Sequence, residues 1–364
     1  MLLIEGVISD EVIERAYEWV CERRKHYHHN SDVWQLRRWW DEKKRLIVAQ
    51  LRSGTYRFRE QRRVSGRGDV KEICSALDAL VLKAMAIVLS AHLKPHLSLR
   101  CFHLAGSGGM KAAVREVAAN VADNPFVFRT DVKGYYASIN HHILMGIVGR
   151  YVQDEAVLAL LWGYLRRYVN DRSKFIDITQ GISLGCPLSP LMGALFLKPL
   201  DDWMAELGCF YVRFMDDWVV LAPTRWRLRK AIKAVNEVVA DLWVEQHPDK
   251  TFIGRVARGF DFLGYWFSTE GLGIASKTVE RFAERVSQLY EQGAGENCIE
   301  EYVRCWWRWV RSGVGLYFGD GSSLMGWGAM LLNLLPKCKG DRSLHLGSSD
   351  CNFGWDRIYL YSQS

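Results

Sequence analysis

The chain has 364 residues, 49% of them hydrophobic and 24% charged, the balance of a soluble globular protein with room for two or three subdomains. Its nine Cys are scattered singly, with no CxxC pair, which excludes a disulfide framework and fits reduced thiols in the cytoplasm. The net charge of +7 allows a polyanionic partner without requiring one, and no apolar run is long enough to span a membrane.

Residues 1–55 read as helices. Ser9 or Asp10 caps the first, and early acids stand where a signal peptide would be basic. The second, through Trp34, Leu36, Trp40 and Leu46-Ile47, puts its Trp inward and a basic face outward. Residues 56–70 alternate apolar with charged and read as a strand pair turning at Ser65–Gly68. Arg57, Arg59, Arg62, Arg63 and Arg67 crowd it, more than a random surface carries, and suit phosphate. An apolar core helix over 71–93 follows. Gly106–Gly109 then lead into a helix carrying Lys111 and Arg115, without the pattern of a nucleotide-binding loop.

The run Phe126–Val132 is a buried strand ending at Asp131. Residues 140–180 read as mostly helical. Gly181–Pro190 is a loop entering an apolar helix at Ser189-Pro190. Asp201-Asp202, closing that helical run, reads as a solvated pair. Tyr211–Ala222 is two β-prone runs joined by a turn that bears Asp216-Asp217. Acids pressed between buried strands repel each other unless a cation sits there. An amphipathic helix over 225–245, a loop with Lys250, two short strands and helices over 275–318 complete the readable chain. Residues 320–364 show no pattern.

Three acids converging on one sheet, Asp131, Asp216 and Asp217, can hold two divalent cations about 4 Å apart, the geometry of in-line phosphoryl transfer. Carboxylate oxygens suit Mg²⁺. Asp131–Ile139, Gly181–Pro190, Phe214–Asp217, His247–Thr251 and Phe262–Tyr265 together resemble the ordered palm motifs of reverse transcriptases, of the group II intron and retron kind, across roughly residues 55–320.

The resemblance implies an α+β right-hand polymerase fold. A helical extension would cover 1–55, fingers 56–125, and palm 126–270 with a helical insertion around 140–180. A thumb would cover 271–320, and a tail of no assigned role 321–364. Asp131 and Asp216 would bind two Mg²⁺ (or Mn²⁺), with the Val132 carbonyl completing one sphere and Asp217 in support. Lys250 would protonate or neutralise the leaving pyrophosphate. Tyr136, five residues after the first acid, would exclude a 2′-hydroxyl and select dNTPs. Arg57, Arg63, Gly185 and Ser189 would contact the incoming nucleotide. Phe262, Leu263, Gly264 and Tyr265 would grip the primer, and Trp307 and Arg308 would meet the template–primer.

Two departures stand out. Leu184-Gly185 replaces the Gln-Gly of many relatives, and Phe214 replaces the Tyr before the acidic pair. Neither touches a metal ligand. The compact form resembles stand-alone bacterial enzymes of the "unknown group", several of which are linked to phage defence and copy a partner non-coding RNA. An RNA-binding maturase with an idle palm and an RNA-directed RNA polymerase stay open as alternatives. The intact acids speak against the first, and Tyr136 against the second.

Overall fold

The computed structural model describes residues 2–65, 70–172 and 174–314. The turn expected over 66–68 and the tail from 321 onward fall outside them.

Four helices open the chain: Leu3–Val7, Asp10–Arg23, Asp32–Arg38 and Trp40–Arg52. The helix expected over residues 32–52 is thus two, parted at Trp39. Ile13, Ala16 and Val20 lie on one stripe of Asp10–Arg23 and are fully buried with the core helix Ala76–Leu93. That helix starts later than its apolar run suggests, because residues 70–73 form a strand. Ser75 caps it, its hydroxyl oxygen accepting the Asp78 N–H at 3.0 Å. The stretch Ala76–His96 is long and apolar enough to cross a membrane, but 61% of its apolar window is buried inside the protein, as in a core helix.

The strands, in chain order, are β1 Gln61–Ser65, β2 Val70–Ile73, β3 Phe126–Thr130, β4 Tyr168–Asp171, β5 Lys174–Asp177, β6 Phe210–Phe214, β7 Asp217–Ala222, β8 Phe252–Arg255, β9 Phe260–Phe262, β10 Tyr265–Ser268 and β11 Gly271–Ile274. They form three sheets, ordered β2-β1-β4-β5, β6-β7-β3-β8 and β11-β10-β9. The first corrects the helical reading of 166–177. Two short strands there pair with each other, and β4 pairs in parallel with β1, a partner far away in sequence.

The second sheet is antiparallel and covered on both faces. Alternation along β7 decides the sides. Trp218, Val220 and Ala222 face the large helical core, which also holds Phe196 and Val235. Val219 and Leu221 face a second core with Val114 and Val117 of helix Gly109–Asn120. The free edge of β6 is closed by residues 100–102. Arg213 N–H donates to the Arg100 carbonyl, and Phe102 N–H donates to the Arg213 carbonyl, each at 2.9 Å. Helices Ser276–Glu291 and Glu296–Val314 pair through a small core of Phe282, Val286, Leu289 and Ile299.

Candidate active site

The register of the second sheet brings the three acids together. Thr130, the last residue of β3, lies opposite Trp218, so Asp131 leaves the strand level with the start of β7. Phe214 pairs with Asp217, leaving Met215 and Asp216 as a two-residue loop. Asp131 and Asp216 are buried, at 5% and 4% exposure.

Burial pushes both Asp216 and Asp217 up to about 7. The charge of Asp131 adds to the rise at each, while Arg129 opposes it at Asp217. Among the described residues, Oδ1 of Asp131 and Oδ1 of Asp217 are buried without a hydrogen-bond partner. Asp217 Oδ1 lies 3.6 Å from Arg129 Nε, and Arg129 is itself tied to Asp261 at 2.7 Å. Two orphaned carboxylate oxygens in a repelling cluster fit a hard cation. Among the described residues no three His, Cys, Asp or Glu side chains close into a cage by themselves. A cation such as Mg²⁺ needs no cage, since it keeps waters and substrate phosphates as ligands.

Lys250, on the turn Pro248–Lys250, donates to Asp131 Oδ2 at 2.7 Å. Beside it, Val132 bridges to Gln246. The bridge uses the Asp131 carbonyl and the Lys133 N–H, leaving the Val132 carbonyl out of those bonds.

Gly134, at φ +58°, turns the chain into helix Tyr135–Ser138. Tyr135 is core, its hydroxyl donating to the Gly193 carbonyl at 2.5 Å. Tyr136 is 9% exposed, and its phenol is held above its usual range by burial and then by Asp216. The loop 181–190 lies along it, with the Ile182 N–H donating to the Tyr136 carbonyl at 2.8 Å. Gly185 has φ +92° and open space where a side chain would be. Ser189, expected at the substrate, is instead 1% exposed. Its hydroxyl donates to the Ser183 carbonyl at 2.6 Å and meets the Tyr164 hydroxyl at 3.1 Å, so it holds the loop in shape.

The remaining expected residues divide. Arg57 is exposed and donates to the Gly54 and Tyr56 carbonyls. Arg63 is paired with Glu72 at 3.1 Å and Asp171 at 3.5 Å, which fastens the first sheet. Leu263 and Gly264, both at positive φ, form a two-residue loop between β9 and β10. The side chains of Phe262 and Tyr265 are fully buried and point into the second core, so a primer could meet only the backbone there. The Gly264 carbonyl accepts from Ala275 N–H and the Thr278 hydroxyl, fastening the loop to the following helix. Trp307 is half-buried and Arg308 exposed.

Two further residues meet the acidic turn, and a third holds one of them. The Met215 N–H donates to His103 Nδ1 at 3.0 Å, and its carbonyl accepts from Arg213 at 2.8 Å. Asp201, read from the sequence as solvated, is 3% exposed and ion-paired with Arg213 at 2.5 Å. An Arg inside the apolar strand Phe210–Phe214 is a signal that could have found this pair, since a buried guanidinium needs a carboxylate. Nothing in the sequence marks His103.

A four-stranded antiparallel sheet, with one acid ending a central strand and two more on the adjoining hairpin, is the frame of a polymerase palm. The family model described as reverse transcriptase (RNA-dependent DNA polymerase) matches residues 74–267. The chain belongs to that family. The match takes in Asp131, Tyr136, Asp216, Asp217, Lys250 and Phe262–Tyr265, and leaves out Arg57, Arg63, Trp307 and Arg308.

Protein YkfC of Escherichia coli K12 is 22% identical over 265 residues, covering 60% of this chain and 70% of that protein. The group II intron-encoded protein LtrA of Lactococcus lactis is 22% identical over 212 residues, covering 57% of this chain and 35% of that one. The chain therefore spans about a third of the intron-encoded relative. Among solved structures, a chain of a partial Cas6-RT-Cas1–Cas2 complex aligns at a TM-score of 0.40 and 17% identity, over 66% of this chain and 43% of that one. Enzymes of the reverse transcriptase family act on a nucleic-acid template and primer and depend on divalent metal.

Proposed function

We propose that the chain copies RNA into DNA at the Asp131–Asp216–Asp217 cluster. The observation that carries this is the pair of buried oxygens on Asp131 and Asp217 that have no hydrogen-bond partner among the described residues, set at the ends of neighbouring strands of a palm sheet. Asp131, Asp216 and the Val132 carbonyl would hold two Mg²⁺, with Mn²⁺ able to replace them and Asp217 in support. Bound there, the ions would stabilise charge on the attacking and leaving oxygens. Lys250, now on Asp131, would turn to the pyrophosphate and neutralise or protonate it. Tyr136 would form the wall that rejects a 2′-hydroxyl and admits dNTPs.

In this reading residues 56–125 are fingers, 126–270 the palm with its insertion around 140–180, and 271–320 the thumb, after a helical extension over 1–55. Arg57, Arg63 and the open backbone at Gly185 serve the incoming nucleotide. The loop Leu263-Gly264 serves the primer end through its backbone, and Trp307 and Arg308 serve the duplex. The template is a dedicated non-coding RNA, by likeness to stand-alone bacterial enzymes linked to phage defence.

Primer extension on poly(rA)/oligo(dT) with Mg²⁺ and either dTTP or UTP tests the activity. Incorporation of dTTP supports it, UTP alone points to an RNA polymerase, and neither leaves an RNA-binding protein with an idle palm. Asp216→Ala with Asp217→Ala should abolish synthesis. Sequencing the nucleic acid that co-purifies with the protein tests the template.

A further inference from the structure

The loop that carries Asp216 is held in an unfavourable backbone conformation. Met215 has φ +58°, at the loop position that glycine usually takes. A side chain there persists when its surroundings over-determine it.

Both polar groups of Met215 are held by side chains from outside the loop. Its N–H donates to His103 Nδ1 at 3.0 Å, and its carbonyl accepts from Arg213 Nη1 at 2.8 Å. Each holder is anchored in turn. His103 Nε2 lies 3.0 Å from the Pro190 carbonyl. A carbonyl can only accept and an N–H can only donate, so His103 carries its proton on Nε2 and offers a lone pair at Nδ1. Arg213 is fully buried, and Asp201 accepts from its Nε at 2.9 Å and its Nη2 at 2.5 Å. The Tyr211 hydroxyl donates to the same carboxylate at 2.9 Å. His103 reaches the loop because residues 100–102 are docked on the edge of β6.

We infer that His103 and the Asp201–Arg213 pair are positioning residues: together they hold Met215 in its left-handed conformation and so fix where Asp216 meets Asp131. None of them is placed on metal or substrate. The inference rests on the metal role proposed for Asp216. It also ties that carboxylate, through Pro190, to the loop 181–190 beside Tyr136.

Two polar substitutions separate the bonds of His103. In His103→Asn, Oδ1 stands where Nδ1 stood and can still accept the Met215 N–H. In His103→Gln the polar end reaches the Pro190 carbonyl instead. Extension rate against Mg²⁺ concentration should show a half-maximal Mg²⁺ requirement raised about tenfold or more in His103→Gln, and near wild type in His103→Asn. Template–primer affinity, measured without Mg²⁺, should stay unchanged in both. Met215→Gly adopts positive φ without strain, so adding it to His103→Gln should shrink the effect. Equal Mg²⁺ requirements in Asn, Gln and wild-type proteins would overturn the inference, as would a Gln effect that Met215→Gly leaves intact. If Asp216→Asn itself keeps full synthesis, the metal reading has failed. If that variant is dead while the His103 variants behave as wild type, only the positioning role has failed.

Discussion

Lys250 Nζ stands 2.7 Å from Asp131 Oδ2, across the gap from the acidic loop. The ammonium takes one oxygen of this carboxylate, and the other oxygen is buried without a partner among the described residues. The lysine proposed for the leaving pyrophosphate is therefore also a counter-ion to Asp131, the proposed metal ligand, and its charge opposes a cation's approach to that carboxylate.

Lys250→Met removes that competing charge and the proposed proton donor together. Mg²⁺ should bind the free protein more tightly, while single-turnover extension should slow about a hundredfold. Calorimetric titration with Mg²⁺ and rapid-quench extension read the two effects separately. Weaker Mg²⁺ binding would show that the lysine does not compete for Asp131.

The acidic hairpin was legible because β7 alternates strictly between two cores and leaves its acids at one end. The strands over 168–177 were not, since their pairing partner β1 lies about a hundred residues upstream, beyond any local pattern. Asp201 looked like any acid near a helix end. Its partner Arg213, an Arg inside an apolar strand, is the signal that points to a buried carboxylate, but not to which one. The Phe262–Tyr265 motif was found, but not that its two aromatic side chains are buried in the second core. His103 carries no sequence signal because its role depends on a backbone N–H in a distant turn.

The carboxylate cluster makes stability depend on pH in a defined direction. Asp216 and Asp217 are pushed up to about 7, chiefly by burial. Their ordinary range lies near 4. Between those values the folded state holds more protons than the unfolded one, so stability of the metal-free protein falls as pH rises from about 4 through 7. Melting temperature in EDTA should drop over this window, and saturating Mg²⁺ should reverse the drop above pH 7. Asp216→Asn, which removes one repelling charge, should flatten the curve and melt higher at pH 8. A variant that melts lower there would mean the carboxylate is held by bonds that outweigh its burial.

Gly193 sets the space behind the proposed nucleotide wall. A Cβ at this position would lie 3.1 Å from the Tyr136 ring and 3.2 Å from the Tyr135 ring. Tyr135 is pinned by its hydroxyl to the Gly193 carbonyl, so Tyr136 is the ring that gives way. Gly193→Ala should cost about 1–3 kcal/mol by overpacking, and lower the melting temperature by roughly 2–4 °C per kcal/mol. KM for dNTPs should rise with it. A lowered melting temperature at unchanged KM would place the Tyr136 ring away from the nucleotide.

Tyr136 itself gives the sharpest test of sugar selection. Its ring is buried beside the loop 181–190, and Asp216 is close enough to raise its phenol. Selection by a wall depends on the ring and not on the hydroxyl. Tyr136→Phe should therefore keep the preference for dNTPs over rNTPs. Tyr136→Ala should lower it about tenfold or more by opening room for the 2′-hydroxyl, with the gain falling on kcat/KM for rNTPs. Competitive extension with dTTP and UTP measures both ratios. If Phe and Ala variants lose discrimination equally, the hydroxyl selects by a hydrogen bond. If neither loses it, the sugar is read elsewhere in the site.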